Sequence, residues 1–310
     1  MAFVNLDANE TIFFQRELEH VKARSYDIVY PSLLARRLFP VDSSAGSGAQ
    51  SITYDTYDHL GIAKLIRSYA DDLPNVSVFG KQTTRQIFGV GVAYGYSLQD
   101  IRAAQMAGKS LDQRLANAAR REYMRKENDL AFFGDADAGI PGFVNNANTN
   151  SVTLADGAVS GTTPWAGKTA DEIIKDVADM VSSIRDTTNG VETPNTLLLP
   201  EAQYSLIANT PRSSQSDTSI LQWIVNSNPF ITEVIPVYEL KGAAAGLGAD
   251  SDDCMILYDR SPDKLTLEIP QDWEQLPVQE KGLQYEVPCH ARTAGVIMYY
   301  PKSVAQANGI

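Results

Sequence analysis

The stretch SLDQRLANAARREYMRKENDLAFFGDADAGIPGFVN, Ser110–Asn145, decides the architecture. Ser110 is a good N-cap, and Gln113 completes an S-x-x-Q capping box, a pattern that satisfies the free N–H groups of a first helical turn. Leu111, Leu115, Ala119, Tyr123, Leu130 and Phe133 recur at helical spacing, while another side is densely charged. A helix from Leu111 to Phe133 is roughly 34 Å long at about 1.5 Å per residue. Gly134 then supplies the left-handed conformation that ends a helix. One thin apolar stripe on so much helix describes a strut, and a strut implies a building block.

Upstream, Glu10–Arg24 has helical composition, broken at Tyr30-Pro31, and Pro31–Phe39 predicts one or two further helical turns with proline at the start. VDSSAGSGAQ (41–50) is a flexible connector by composition. SITYDTYDHL (51–60) and TRQIFGVGVAYGYS (84–97) predict two long strands. A wide polar excursion with a turn signal at Asp71–Pro74 joins them. Such an excursion buries little of its own surface and needs a partner.

Downstream, a short helix ends near Gly108, ahead of the strut. Residues 146–167 read as loop with a hairpin. Thr169-x-x-Glu172 is a second capping box, opening a helix whose broad apolar face is Ile173, Ile174, Val177, Met180, Val181 and Ile184. A short buried strand at Thr196–Leu199, a helix from Pro200 through Ile207, a helix at Ile220–Val225 and a strand at Phe230–Leu240 give 168–259 an α/β alternation. GAAAGLGADSDD (242–253) is an acidic loop before the strand CMILYD. LTLEIP, LQYEVPCH and GVIMYYP return to β structure, with Pro270, Pro277, Pro288 and Pro301 expected at strand ends or on edges.

The 310 residues are 44% hydrophobic, enough for a real core, which excludes a disordered chain. No apolar run approaches the ~20 residues of a membrane span, and MAFVNLDANETIFF does not have the form of a signal peptide. Two cysteines, Cys254 and Cys289, are expected as reduced thiols in a cytosolic protein. The net charge of −12 argues against a dedicated nucleic-acid binder, whose affinity rests on neutralising phosphates.

Catalytic chemistry is sparse. The histidines are His20, His59 and His290, and neighbours Cys289 and His290 point to opposite faces of a strand. Gly89–Gly95 (GVGVAYG) sits inside a strand, so its glycines allow twist or close backbone approach rather than phosphate binding. Asp135, Asp137 and Gly139 lack the closing ligands of a calcium loop. Asp250, Asp252 and Asp253 read as a solvated acidic loop. Arg120, Arg121, Arg125 and Lys126, interleaved with Glu122, Glu127 and Asp129, read as a salt-bridged solvent face. Trp165, Trp223 and Trp273 read as packing residues. No residue is assigned a catalytic, cofactor-binding or metal-ligating role, and the expectation is a protein that is not an enzyme.

Four stretches in order carry a resemblance: DDLPNVSVFG (71–80) with GVAYGYSLQDIR (91–102); ENDLAFFGDADAGIPGFVN (127–145); LLLPEAQYSLI (197–207); and QEKGLQYEVPCHARTAGVIMYYP (279–301). With them the chain resembles the major capsid proteins of tailed bacteriophages and their α+β Johnson (HK-ninety-seven-type) fold. The resemblance implies an N-terminal arm at 1–50, an extended hairpin loop at 51–96, and a spine helix with peripheral domain at 97–167. It further implies an α/β axial domain at 168–259 and a return to the peripheral domain at 260–310. It implies self-assembly through hexamers and pentamers into an icosahedral shell around double-stranded DNA, without sequence-specific DNA binding and without a membrane. Scaffold, portal and decoration proteins are the implied partners, and the virion, assembled in the host cytoplasm, is the implied location. The chain opens almost directly on the arm, so any scaffold is expected to be a separate protein. Lys64 and Lys81 lie in or near the extended loop and are read as surface lysines rather than crosslinking residues. Two alternatives remain: an encapsulin-type shell around cargo enzymes, and a soluble α/β enzyme with an unrecognised site.

Overall fold

A computed structural model describes residues 32–63, 75–107, 111–213, 215, 217–242 and 253–310. The expected helix at Glu10–Arg24, the Asp71–Pro74 turn, the Ser110 cap, Lys64 and most of the acidic loop lie outside the described residues. In chain order, α1 (Ala35–Leu38) and β1 (Val41–Asp42) lead to β2 (Ser51–Leu60), β3 (Ser77–Gln86), β4 (Phe88–Ser97), α2 (Leu98–Ala107) and α3 (Leu111–Phe132). Next come β5 (Gly134–Asp135), β6 (Ile140–Pro141), β7 (Asn150–Val152), α4 (Ala170–Thr187), β8 (Thr196–Leu199), α5 (Glu201–Asn209), α6 (Ile220–Ser227), β9 (Glu233–Pro236) and β10 (Cys254–Tyr258). The chain closes with β11 (Leu265–Glu268), β12 (Gln271–Gln275), β13 (Gln279–Lys281), β14 (Gln284–Thr293), β15 (Gly295–Met298) and β16 (Val304–Asn308).

The strut is α3. Ala119, Tyr123 and Leu130 are buried as the stripe requires, and Leu115 is half-buried. The stripe ends on Phe132, fully buried, rather than on Phe133, which lies past the last helical residue and is half-buried. Gly134 takes φ +70°, and a Cβ there would stand 2.1 Å from the Ile140 carbonyl oxygen, so only glycine fits. The chain then doubles back. Phe143 N–H donates to Ala131 O and Val144 N–H to Phe132 O, both at 2.9 Å, and Asn145 Nδ2 donates to Phe133 O. The FFGDADAGIPGFVN passage thereby satisfies carbonyls that the helix end leaves open.

The five-stranded sheet runs β7-β16-β10-β8-β9. TLLL of β8 and CMILY of β10 are buried at every position, which is why they read as unbroken apolar runs. Leu198, Ile256 and Tyr258 face a core shared with Phe39, Phe132 and Phe143, whereas Leu197, Leu199, Met255 and Leu257 face a core shared with α4, α5 and α6. The expected hairpin within 146–167 is absent. Instead β7 pairs in parallel with β16, because a polar segment can serve as an edge strand without an apolar face of its own. The C-terminal strand β16 lies in this sheet beside β10.

The loop before α4 is fastened from the helix. The Glu172 carboxylate accepts from Thr169 N–H at 2.9 Å, from Val159 N–H at 2.6 Å and from Ser160 N–H. These bonds, that from Thr169 first, pull the Glu172 pKa down from 4.5 to about 2. A depressed carboxylate stabilises the fold above its unfolded pKa, and that contribution disappears as pH falls through the folded value. Glu172→Gln is therefore expected to lower the melting temperature by a constant margin above pH 4.5. The gap from wild type should close between pH 4.5 and about 2 in a series of calorimetric scans. Behind the loop, Trp165 Nε1 and Lys168 Nζ both donate to the buried Asp176 carboxylate, at 2.9 and 2.8 Å.

Three further expectations change. The connector 41–50 is not loop throughout: Val41 and Asp42 pair in parallel with Leu267 and Glu268. The strand expected over 84–97 is two, broken at the buried Ile87, because SVFGKQTTRQ (77–86) is itself a strand with no apolar alternation to announce it. Pro288 lies inside β14, which is flanked by β4 and by β12 and β13. Its carbonyl accepts from Leu276 N–H, so its nitrogen faces the same side, at the break between β12 and β13 rather than along β4.

Candidate functional site

The part of the body without a core is the hairpin. β2 and β3 pair over ten positions, from Ser51 opposite Gln86 to Leu60 opposite Ser77, an arm about 33 Å long at roughly 3.3 Å per residue. Neither strand pairs with any other described strand, so both outer edges keep open N–H and C=O groups. Tyr57, Leu60, Ile62, Val76, Val78 and Phe79 are exposed, Tyr57 at 67% and Phe79 at 60%. Long open edges and exposed apolar side chains are avoided by soluble monomers, because they invite another chain. Within the hairpin, the Tyr57 ring covers Gly80 across the ladder, and Thr53 and Thr84 share a hydrogen bond of 3.0 Å. At the root, Tyr54 packs edge-on against Tyr299 at 5.1 Å.

A second feature anchors residues 34–36 to the body. Asn128 of α3 accepts on Oδ1 from the N–H groups of Leu34 and Ala35, at 3.2 and 3.0 Å, and so caps α1 from another helix. Its Nδ2 donates to Glu239 Oε1 at 2.6 Å. One residue away, buried Glu127 takes two hydrogen bonds from Arg36, at 2.6 and 2.8 Å, and Arg36 also reaches Asp272. The bonds to Glu127 and then Asp272 raise the Arg36 pKa, and Arg36 in turn lowers that of Asp272.

The charged face of α3 is therefore not uniform. Arg120, Arg121, Arg125 and Lys126 are exposed, as a solvent face requires, but Glu127 is buried. The available signal was position: Ala119, Tyr123 and Glu127 follow one another at intervals of four on the buried stripe. Cys289 and His290 point to opposite faces, Cys289 into the core and His290 across Gly89. His59 is exposed on the hairpin, and His20 lies outside the described residues. The Asp135 carboxylate accepts from the N–H groups of Asp137 and Ala138, which closes a turn. Asp253 ties Gly242 N–H to Gln203 Nε2. Trp165 is buried, and Trp223 and Trp273 are partly buried against their cores. Of the glycines in β4, Gly95 makes the close approach, its Cβ position 3.0 Å from Tyr285 O. Cys254 and Cys289 are free thiols, and burial pushes Cys254 up to about 12. Among the described residues no group of three or more His, Cys, Asp or Glu side chains is placed to hold a metal, and no helix is long and apolar enough to cross a membrane.

A body with packed cores and a long hairpin that has none is the architecture of a subunit completed by other copies. The family model described as Major capsid protein matches residues 61–310, and the chain belongs to that family. Among solved structures, the capsid of Myoviridae Phage XM1 superposes with a TM-score of 0.83 at 18% identity, covering 97% of this chain and 99% of that one. The capsid of a native GTA particle gives 0.67 at 12% identity, over 94% and 95%. A virus-like particle from Pyrococcus furiosus gives 0.55 at 12% identity, over 87% and 90%. These likenesses establish the fold as that of phage major capsid proteins. No curated protein matches the chain.

Proposed function

We propose that this chain is the shell subunit of a tailed-phage head, assembling in many copies around double-stranded DNA. The observation that carries this is the ten-pair hairpin, exposed on both faces toward its tip and open on both edges, on a chain of the major capsid protein family. In this reading residues 1–50 are the arm, 51–96 the extended loop laid on a neighbour, and α3 the spine. The α4–α6 region is the axial domain meeting its copies around an axis, and such head-to-tail contacts close into rings. A negative subunit holds packaged DNA without gripping it. The role is structural, not catalytic, and the family match favours a head shell over a cargo shell. Assembly in the host cytoplasm, with scaffold, portal and decoration proteins as partners, belongs to the same reading. The test is electron microscopy of the purified protein across a concentration series. Hollow shells or capsomer rings are expected, and a monomer persisting at high concentration would overturn the assignment.

A further inference from the structure

Where the hairpin root meets the turn after α3, there is a recess of about 450 Å³. Its apolar wall is Phe133, Ile140 and Pro141, with the polar stretch Asn145–Asn148 alongside, and its one charged lining residue is Arg85 of β3. The Arg85 Nε is buried and has no hydrogen-bond partner among the described residues. No carboxylate lines the recess. A guanidinium set against an apolar wall with an unpaired buried N–H is a receptor for a planar anion, since Arg offers a fork of donors that matches a carboxylate.

The same hairpin carries a complementary feature near its tip. Asp58 is exposed, sits directly across the ladder from exposed Phe79, and makes no ion pair among the described residues. One anion beside one aromatic ring matches one cation beside an apolar wall. The two cannot meet within a chain. Arg85 lies opposite Ile52, six residues along β2 from Asp58, about 20 Å at 3.3 Å per residue, and the paired ladder holds that distance. The contact must come from a second copy.

We infer that Arg85 receives the Asp58 carboxylate of a neighbouring copy, with Phe79 of that copy against the Phe133–Ile140–Pro141 wall, as a contact that sets hairpin register during assembly. This rests on the shell reading and names the partner groups of its hairpin. The test is a charge-reversal cycle on the full chain, read by light scattering for the concentration at which assembly begins and by circular dichroism for folding. Arg85→Glu and Asp58→Arg should each raise the onset concentration at least tenfold with the melting temperature of the unassembled chain unchanged. The double variant should return to within about threefold of wild type. Asp55→Arg, on the opposite hairpin face, should not be rescued by Arg85→Glu. If Arg85→Glu lowers the melting temperature, Arg85→Gln with Asp58→Asn replaces it, and the combination should then assemble no worse than either single neutral variant, whereas additive losses overturn the contact. Assembly of Arg85→Glu at the wild-type concentration, or lack of rescue in the double variant, overturns the contact. So does normal assembly combined with loss of DNA retention, which would make Arg85 a phosphate contact. Failure of the wild-type chain itself to form shells would instead overturn the shell reading.

Discussion

A chain in which residues 54–83 are replaced by Asn-Gly is expected to fold normally and to form no shells. Thr53 and Thr84 face each other in the ladder, so a two-residue turn closes the hairpin without disturbing its root. Asn-Gly suits the turn type that matches the twist of paired strands. The segment removed contributes almost nothing to the body: its described side chains are exposed or half-exposed, and none belongs to a buried cluster. Among the described residues, the ring contact given up is the edge-on packing of Tyr54 on Tyr299, worth about 1 kcal/mol. The melting temperature should therefore change by no more than a few degrees, while micrographs should show no closed particles at any concentration that supports wild-type assembly. Closed shells from this variant would mean that the hairpin is decoration rather than a joint, and would remove the main support for the assembly reading.

That variant separates two kinds of information in the chain, and the sequence is legible for only one of them. Elements that bury a face announce themselves. The α4 face from Ile173 to Ile184 and the all-apolar TLLL and CMILY strands have the periodicity that burial imposes. So does most of the α3 stripe, missed where Phe132 and Phe133 are interchangeable by composition and where a charged residue, Glu127, takes a buried position. Elements that bury nothing in one chain carry no such signature. β3 reads as loop because SVFGKQTTRQ is exposed at nearly every position, and its strand form rests on a backbone ladder with SITYDTYDHL. β7 is hidden for a related reason, as NSV is an edge strand in a polar segment. The Arg85 recess could not be seen at all, since it joins residues about fifty positions apart. Assembly surfaces are of this second kind. Their partner is another copy, so the pattern that would reveal them is completed outside the chain.

The buried polar junction at Asn128 is the other place where a single atom has a large effect. Asn128→Ala removes the acceptor for Leu34 and Ala35 N–H and the donor to Glu239 Oε1, the last two in a buried setting and the Leu34 bond part-buried. The alanine leaves the two amides and a buried carboxylate without partners, at about 1–3 kcal/mol for each unsatisfied group. The expected loss is about 4 kcal/mol, or roughly 10 °C in melting temperature for a body of this size. Asn128→Asp distinguishes the electrostatic cause from simple loss of packing, because it keeps shape and the Oδ1 acceptor but faces Glu239 with a second negative group. It should be destabilised at neutral pH to a similar degree, since two carboxylates in contact cannot both ionise cheaply. On acidification one of them takes a proton and donates to the other, and because their mutual repulsion raises the folded pKa, stability relative to wild type should recover above the ordinary carboxylate range, as pH falls from neutral toward it. A deficit that stays constant with pH would mean that the junction is held by packing alone. If the pH-dependent recovery is found, α1 is held by a polar clamp between α3 and residues 34–35. Shells built from Asn128→Asp should then show their defect at neutral pH and assemble more nearly normally in mild acid, a difference that melting curves and micrographs on the same samples would reveal.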